Sequence, residues 1–222
     1  MISLEAIKNA KHIVILTSNS SFADASAFYT SLLRLHKKVS IVCEKEILNS
    51  RFSFLPWFEK LRGVIPSSAD LVIDLEVENE SLYEFFKSNN MRINQKMATA
   101  LYASLLEKLN GFTMSRVDGT TFALLSKFIA DGADYKLCNK FIMKRVSLSA
   151  LRLKAIMLKN MVLINDSKAA LFCVNEDDFK SSGANLSEAF VAMNDALSLP
   201  YVEMAILINS ENEILKLITE EI

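Results

Sequence analysis

The stretch Ile13 to Val42 limits the fold more than any other part of the chain. Ile13 to Thr17 is a short apolar run of the kind that forms a buried strand, and Ser18-Asn19-Ser20-Ser21 breaks it. Phe22, Ala25, Tyr29, Leu32 and Leu33 then recur at helical spacing, and after Lys37-Lys38 the run Val39 to Val42 reads as a second strand. Strand, helix and strand in this order predict a parallel crossover, whose first loop lies at the carboxyl edge of the sheet. Ligands of such sheets bind at that edge, so Ser18 to Asp24 is the first candidate site.

The remaining pieces predict an α/β chain. Asp70 to Leu75 reads as a third strand, and a short helix is expected from about Glu80 to Asn89 with Asn79 as its cap. Asn94 is placed to cap a helix running to Leu109, with Met97, Leu101, Leu105 and Leu109 on one face and Gly111 past its end. Thr120 to Asp131 repeats the pattern with Phe122, Leu125, Phe128 and Ile129, and Gly132 closes it. Asp134 should cap a helix over Tyr135 to Arg145, and Ser147 or Ser149 should begin another to about Asn160. Strands over Met161 to Asn165 and Ala169 to Val174 flank the turn residues Asp166-Ser167-Lys168. Helical patches over Glu176 to Lys180 and Leu186 to Leu197, then strands over Val202 to Ile208 and Ile214 to Thr219, complete the chain. The expected architecture is a parallel-sheet N-terminal domain with a helical connector (1–146) and a small mixed α/β C-terminal domain (147–222).

Composition narrows the function. A net charge of -1 gives no global attraction to nucleic acid or anionic membrane. The start lacks a basic-then-apolar leader pattern and no apolar run reaches bilayer length, so a cytoplasmic location with no membrane partner is expected. Cys43, Cys138 and Cys173 are too far apart for a metal-ligand spacing and are expected to be buried, reduced thiols. The aromatic group Phe52, Phe54, Trp57 and Phe58 falls in the irregular segment from Glu44 to Pro66 and is read as core packing rather than a stacking platform.

Several phrases in this order resemble the DHH phosphoesterase family with its DHH-associated C-terminal domain. They are the first crossover, DLVIDLE, INQKMATALYASLLEKLNGFT, and the connecting helices from Thr121 to Ile164. The similarity is to the branch that acts on oligoribonucleotides, adenosine bisphosphate or cyclic dinucleotides. It implies two divalent cations, usually manganese, held by histidines and aspartates and activating a water. This chain departs from that pattern at every motif. Where the family has His, three residues, Asp, one residue, Asp, the chain has Ser18, Phe22 and Asp24. Glu76, or Asp74 two residues before it, falls at the second motif, and Lys108 aligns with the aspartate that precedes Gly-Phe. The Asp-His-His segment is missing, His12 and His36 occupy no metal position, and the Gly-rich histidine motif would lie beyond Ile222, which implies a truncated member.

Ser18, Phe22, Asp24, Asp74, Glu76 and Lys108 are therefore expected to mark a vestigial site without catalytic residues, and no cofactor is expected. Three acids without a histidine would hold one weakly bound Mg²⁺ or Mn²⁺ at most. Asp24 has two readings: a capping box in which Ser21 caps the helix and Asp24 reaches back, or a pair with Lys108, whose ammonium replaces a metal while Phe22 and Phe28 fill the pocket. Glu76 is an alternative partner for Lys108, and a surface lysine favoured by the helix dipole is the plain alternative.

From Tyr135 to Asn160 there are seven basic residues and no acid. Lys136, Lys140, Lys144, Arg145 and Arg152 are candidate phosphate-binding residues, with a solvated helix face as the alternative. Three functions follow: a catalytically inactive homologue serving as a protein-interaction module, a binder of nucleotides or single-stranded nucleic acid, or an atypical metal-dependent phosphoesterase acting on short oligonucleotides or nucleotide phosphates. Phe85, Phe86 and Met91, next to the missing segment, are expected to form an interface with an unidentified protein or a second copy.

Overall fold

The computed structural model describes residues 3–43, 48–75, 82–114 and 117–219, which divide into two compact units, Met1–Arg145 and Val146–Ile222. In the first unit, α1 (Leu4–Asn9) leads into β1 (His12–Leu16), α2 (Phe22–Arg34) and β2 (Lys38–Val42), the crossover expected from the sequence. A two-residue β3 (Leu61–Arg62) and β4 (Leu71–Asp74) complete a parallel sheet of order β3-β2-β1-β4. Ile13 lies beside both Val39 and Leu71, so β1 is central. Its burial on both faces explains why it reads as an unbroken apolar run rather than an alternating one.

The helices of this unit are α3 (Leu82–Ser88), α4 (Gln95–Lys108), α5 (Gly119–Ala130) and α6 (Tyr135–Cys138), followed by a π-helix over Asn139–Lys144. Asn94 Oδ1 accepts the Met97 N–H at 3.0 Å and Asp118 Oδ1 accepts that of Thr121 at 2.9 Å, which starts α4 and α5 at defined points. Gly111 (φ 70°) and Gly132 (φ 92°) lie just beyond the ends of α4 and α5, in the left-handed region open to glycine. α2 and α4 pack antiparallel. Asp24 at the start of α2 meets Lys108 at the end of α4, and Arg34 at the end of α2 donates to the Arg92 carbonyl just before α4.

Several expectations change here. Tyr135 to Arg145 is not one α-helix, because it widens into the π-turn after Cys138. Phe85 and Phe86 are 1% and 0% exposed and pack on Phe28, and Met91 also lies against the core, so these residues close the unit instead of offering an interface. Phe122 and Ile129 on α5 are exposed although their spacing matches the buried Leu125 and Phe128. Leu33 is also exposed at the rim of its helix. Phe52 is buried, Phe54, Trp57 and Phe58 pack against the core, and Trp57 stacks on Tyr29 with centroids 4.9 Å apart while its indole N–H donates to Thr30. Asn79 and Glu76 lie outside the described residues.

In the second unit α7 (Leu148–Asn160) is capped by Ser147, which accepts the Ala150 N–H at 2.9 Å. Strands β5 (Val162–Ile164) and β6 (Ala169–Cys173) form a hairpin, α8 (Glu176–Ser182) and α9 (Leu186–Ala192) cross over, and β7 (Met204–Ile208) pairs parallel to β6. β8 (Ile214–Thr219) returns antiparallel to β7, giving a mixed sheet of order β5-β6-β7-β8. One face, through Ala170, Phe172, Ala205 and Leu207, forms a core with Leu153, Met157, Ala189 and Met193. Cys173 is exposed, not buried as expected, because it points to the other face of β6 from Phe172. No helix among the described residues is long and apolar enough to cross a membrane.

Candidate functional site

The carboxyl edge of the parallel sheet is where the crossover loop should place chemistry. Thr17 extends β1 by donating its N–H to Val42 O at 2.9 Å, and the loop then folds on its own hydroxyls. Ser21 Oγ accepts the Ser18 N–H at 3.0 Å and lies 3.0 Å from Thr17 Oγ1, while Ser18 Oγ lies 2.9 Å from Ser20 Oγ. Asn19 Oδ1 accepts the Asn49 N–H at 2.6 Å, which ties this loop to the segment after β2.

This geometry removes the capping-box reading. Ser21 makes no side-chain bond to the first turn of α2, because its oxygen is turned back onto Ser18 and Thr17. Asp24 instead accepts a hydrogen bond from Lys108 Nζ. Phe22 is fully buried, its ring 6.0 Å from Phe52 and 5.8 Å, edge-on, from Phe58, so this position carries aromatic core where an aspartate would serve a metal. Phe28 is equally buried but packs nearly two turns further along α2 on Phe85 and Phe86.

A second ion pair adjoins the first. Arg51, in a 3₁₀ turn that Asn49 caps, donates to Glu107 Oε1 at 2.7 Å, and its guanidinium lies 4.9 Å from the Phe52 ring centre. Burial holds the Glu107 carboxyl above the ordinary glutamate range, opposed by the charges of Arg51 and Lys108 and reinforced by that of Asp24. The four side chains therefore feel one another as a cluster of two acids and two bases with no formal net charge. Sequence reasoning missed Arg51 and Glu107, which are 56 residues apart and linked by no motif.

The donor set does not fit the two divalent cations that the resemblance implies. The aligned acid Asp24 is already bound to an ammonium, the aligned Phe22 offers no donor, and Ser18 is held in a hydroxyl network. Among the described residues no group of three or more His, Cys, Asp or Glu side chains is arranged to hold a metal ion. Asp74 ends β4 beside Leu16, and Glu76 lies outside the described residues. His12 opens β1, at the opposite edge of the sheet, with Nδ1 2.9 Å from Ser68 Oγ and Nε2 3.0 Å from Ser40 Oγ. Burial, with the Asp134 charge, pushes the Cys138 thiol up to about 12, which keeps it protonated and unreactive at neutral pH.

The basic candidates separate. Lys136, Lys140 and Lys144 line one groove of about 350 Å³ with Tyr135 and Asn139. Arg145 lies 3.9 Å over the Phe141 ring, which itself packs on Phe54 at 4.9 Å. Arg152 is carried by α7 of the second unit, where neighbouring Lys154 pairs with Asp195. A larger depression of about 610 Å³ opens where Arg34, Arg92, Asn94 and Asp131 meet, and sequence reasoning did not single it out.

No protein-family model matches the chain, and no curated protein does. Among solved structures, the chain resembles an exopolyphosphatase-related protein from Bacteroides fragilis with a TM-score of 0.78 at 14% identity, covering 98% of this chain and 82% of that one. A putative family II inorganic pyrophosphatase from Methanococcus jannaschii aligns over 89% of this chain and 82% of its own with a TM-score of 0.33 at 9% identity. The first likeness shows that this chain shares the fold of that exopolyphosphatase-related protein.

Proposed function

We propose that this chain is a catalytically inactive homologue of the DHH phosphoesterases that uses the scaffold as a binding module, for a protein or for a nucleotide or nucleic acid. The observation that carries the reading is the Lys108 ammonium on Asp24. An ammonium bound to a carboxylate supplies the positive charge that a metal ion would otherwise provide there, but it cannot polarise a water into a nucleophile. The Arg51–Glu107 pair beside it is balanced in the same way, so these four side chains offer no excess negative charge with which to recruit a divalent cation.

Hydrolysis tests this directly. Purified chain with Mn²⁺ is expected to release no product from short oligoribonucleotides, adenosine bisphosphate or a cyclic dinucleotide. Metal-dependent turnover that disappears in Asp24→Asn would overturn the reading in favour of an atypical phosphoesterase.

A further inference from the structure

We propose that the groove formed by α6 and the π-helix binds single-stranded nucleic acid, with backbone phosphates on Lys136, Lys140 and Lys144 and a base against Tyr135. The inference rests on the binding half of the reading above and not on catalytic silence.

The first support is uncompensated charge. Between Tyr135 and Arg145 there are four cations and no acid, in a chain whose net charge is -1. Asp134 is the acid next to them, and it is occupied in capping α6 through the Leu137 N–H at 2.9 Å. Lys108, Lys154, Lys168 and Lys180 each have a carboxylate partner, whereas among the described residues none lies in ion-pair contact with Lys136, Lys140 or Lys144. Lysines that border one groove with no carboxylate against them raise its positive potential, which favours a ligand with several phosphates.

The second support is shape. Four residues of α-helix advance the side-chain direction by about 40° beyond a full turn. The wider π-turn reverses that drift and brings Lys144 back toward Lys136, so all three lysines border the same groove. The turn is held on its other side by buried Cys138 and Ile142, by Phe141 on Phe54, and by Arg145 on Phe141. Asn139 Nδ2 donates to Tyr135 O at 2.9 Å, which fixes the floor. The lysines stand about one turn, roughly 5 Å, apart along the axis, which suits consecutive phosphates of an extended strand better than a single compact anion.

Tyr135 selects the class. It is 39% exposed and lines the groove, so part of its ring is available to a base. Stacking on one aromatic face accepts any base but requires that base to be unpaired, and ammoniums read charge without sequence. The predicted ligand is therefore single-stranded and of any sequence.

Fluorescence anisotropy of the full chain with a labelled single-stranded RNA of about ten nucleotides tests this, with duplex and inorganic polyphosphate as competitors. Saturable binding is expected, with log K falling against log salt at a slope of about -2, since each of three neutralised phosphates contributes about -0.7. Lys136→Gln, Lys140→Gln and Lys144→Gln together should abolish binding, and Lys140→Gln alone should make the slope shallower by about 0.7, which serves if the triple variant misfolds. Tyr135→Leu should weaken binding about tenfold without changing the slope, and Lys127→Gln on α5 should leave it unchanged. No saturable binding, or a slope unchanged in a folded lysine variant, overturns the proposal. Displacement by polyphosphate as effective as by unlabelled RNA, with Tyr135→Leu silent, overturns the nucleic-acid assignment in favour of a polyanion site. None of these results depends on whether the chain hydrolyses anything.

Discussion

Two charged regions of the first unit are built from the same side chains to opposite ends. At the carboxyl edge of the sheet, Asp24 with Lys108 and Glu107 with Arg51 are paired acid to base beside buried Phe22 and Phe52. On α6 and the π-helix, Lys136, Lys140 and Lys144 share a groove with no carboxylate in ion-pair contact among the described residues. The first cluster satisfies itself and has little left to offer a ligand. The second has no carboxylate in ion-pair contact among the described residues and, in the proposal above, meets an anionic partner. Charge balance, rather than the number of charged residues, distinguishes the part that stabilises the fold from the part proposed to meet a partner.

The largest effect that would break this contrast lies at Phe22. Phe22→Ala empties a fully buried aromatic position and should cost about 3–5 kcal/mol in denaturant unfolding. A loss under about 1 kcal/mol would mean that the space is already loose enough to admit a ligand.

Lys108→Ala comes next. Its side chain is 44% exposed and that of Asp24 16%, so the pair is worth about 1 kcal/mol after solvent screening. A double-mutant cycle with Asp24→Asn should return most of that as coupling, and it should shrink in high salt.

Glu107 sharpens the comparison through pH. Its folded-state value is raised, so its favourable contribution is fully present below the ordinary value of 4.5 and is lost as pH rises through the folded value. The stability of the natural chain relative to Glu107→Gln should therefore decline as pH rises above the ordinary value of 4.5, as denaturant midpoints can show. A difference that grows with pH would mean that Arg51 outweighs burial.

The smallest effect is expected in the open region. Lys140→Gln should change stability by no more than about 0.5 kcal/mol, because the side chain is exposed and has no carboxylate in ion-pair contact among the described residues. A clear gain would indicate strong repulsion among the three lysines.

Much of the fold was legible in the sequence because local signals agreed with the tertiary outcome. Polar breakers bounded β1, Asn94 and Ser147 capped α4 and α7, and Gly111 and Gly132 closed α4 and α5. The sequence misled where a distant partner outweighed the local rule. Ser21 and Asp24 have capping-box spacing, but Ser18 and Thr17 take the hydroxyl and Lys108 takes the carboxylate. Phe85 and Phe86 were expected to lie uncovered at an interface, yet Phe28 covers them from α2. The two residues of β3 and the π-turn after Cys138 are too short and too rare for periodicity to reveal. The Lys108–Asp24 contact came from aligning a motif, whereas Arg51–Glu107 had no such guide.

The most direct test of the closed site is calorimetric titration of the purified chain with Mn²⁺. The account predicts no saturable binding at the carboxyl edge, so the heats of the natural chain and of Asp24→Asn should coincide. Two manganese ions bound per chain and lost in Asp24→Asn would contradict it.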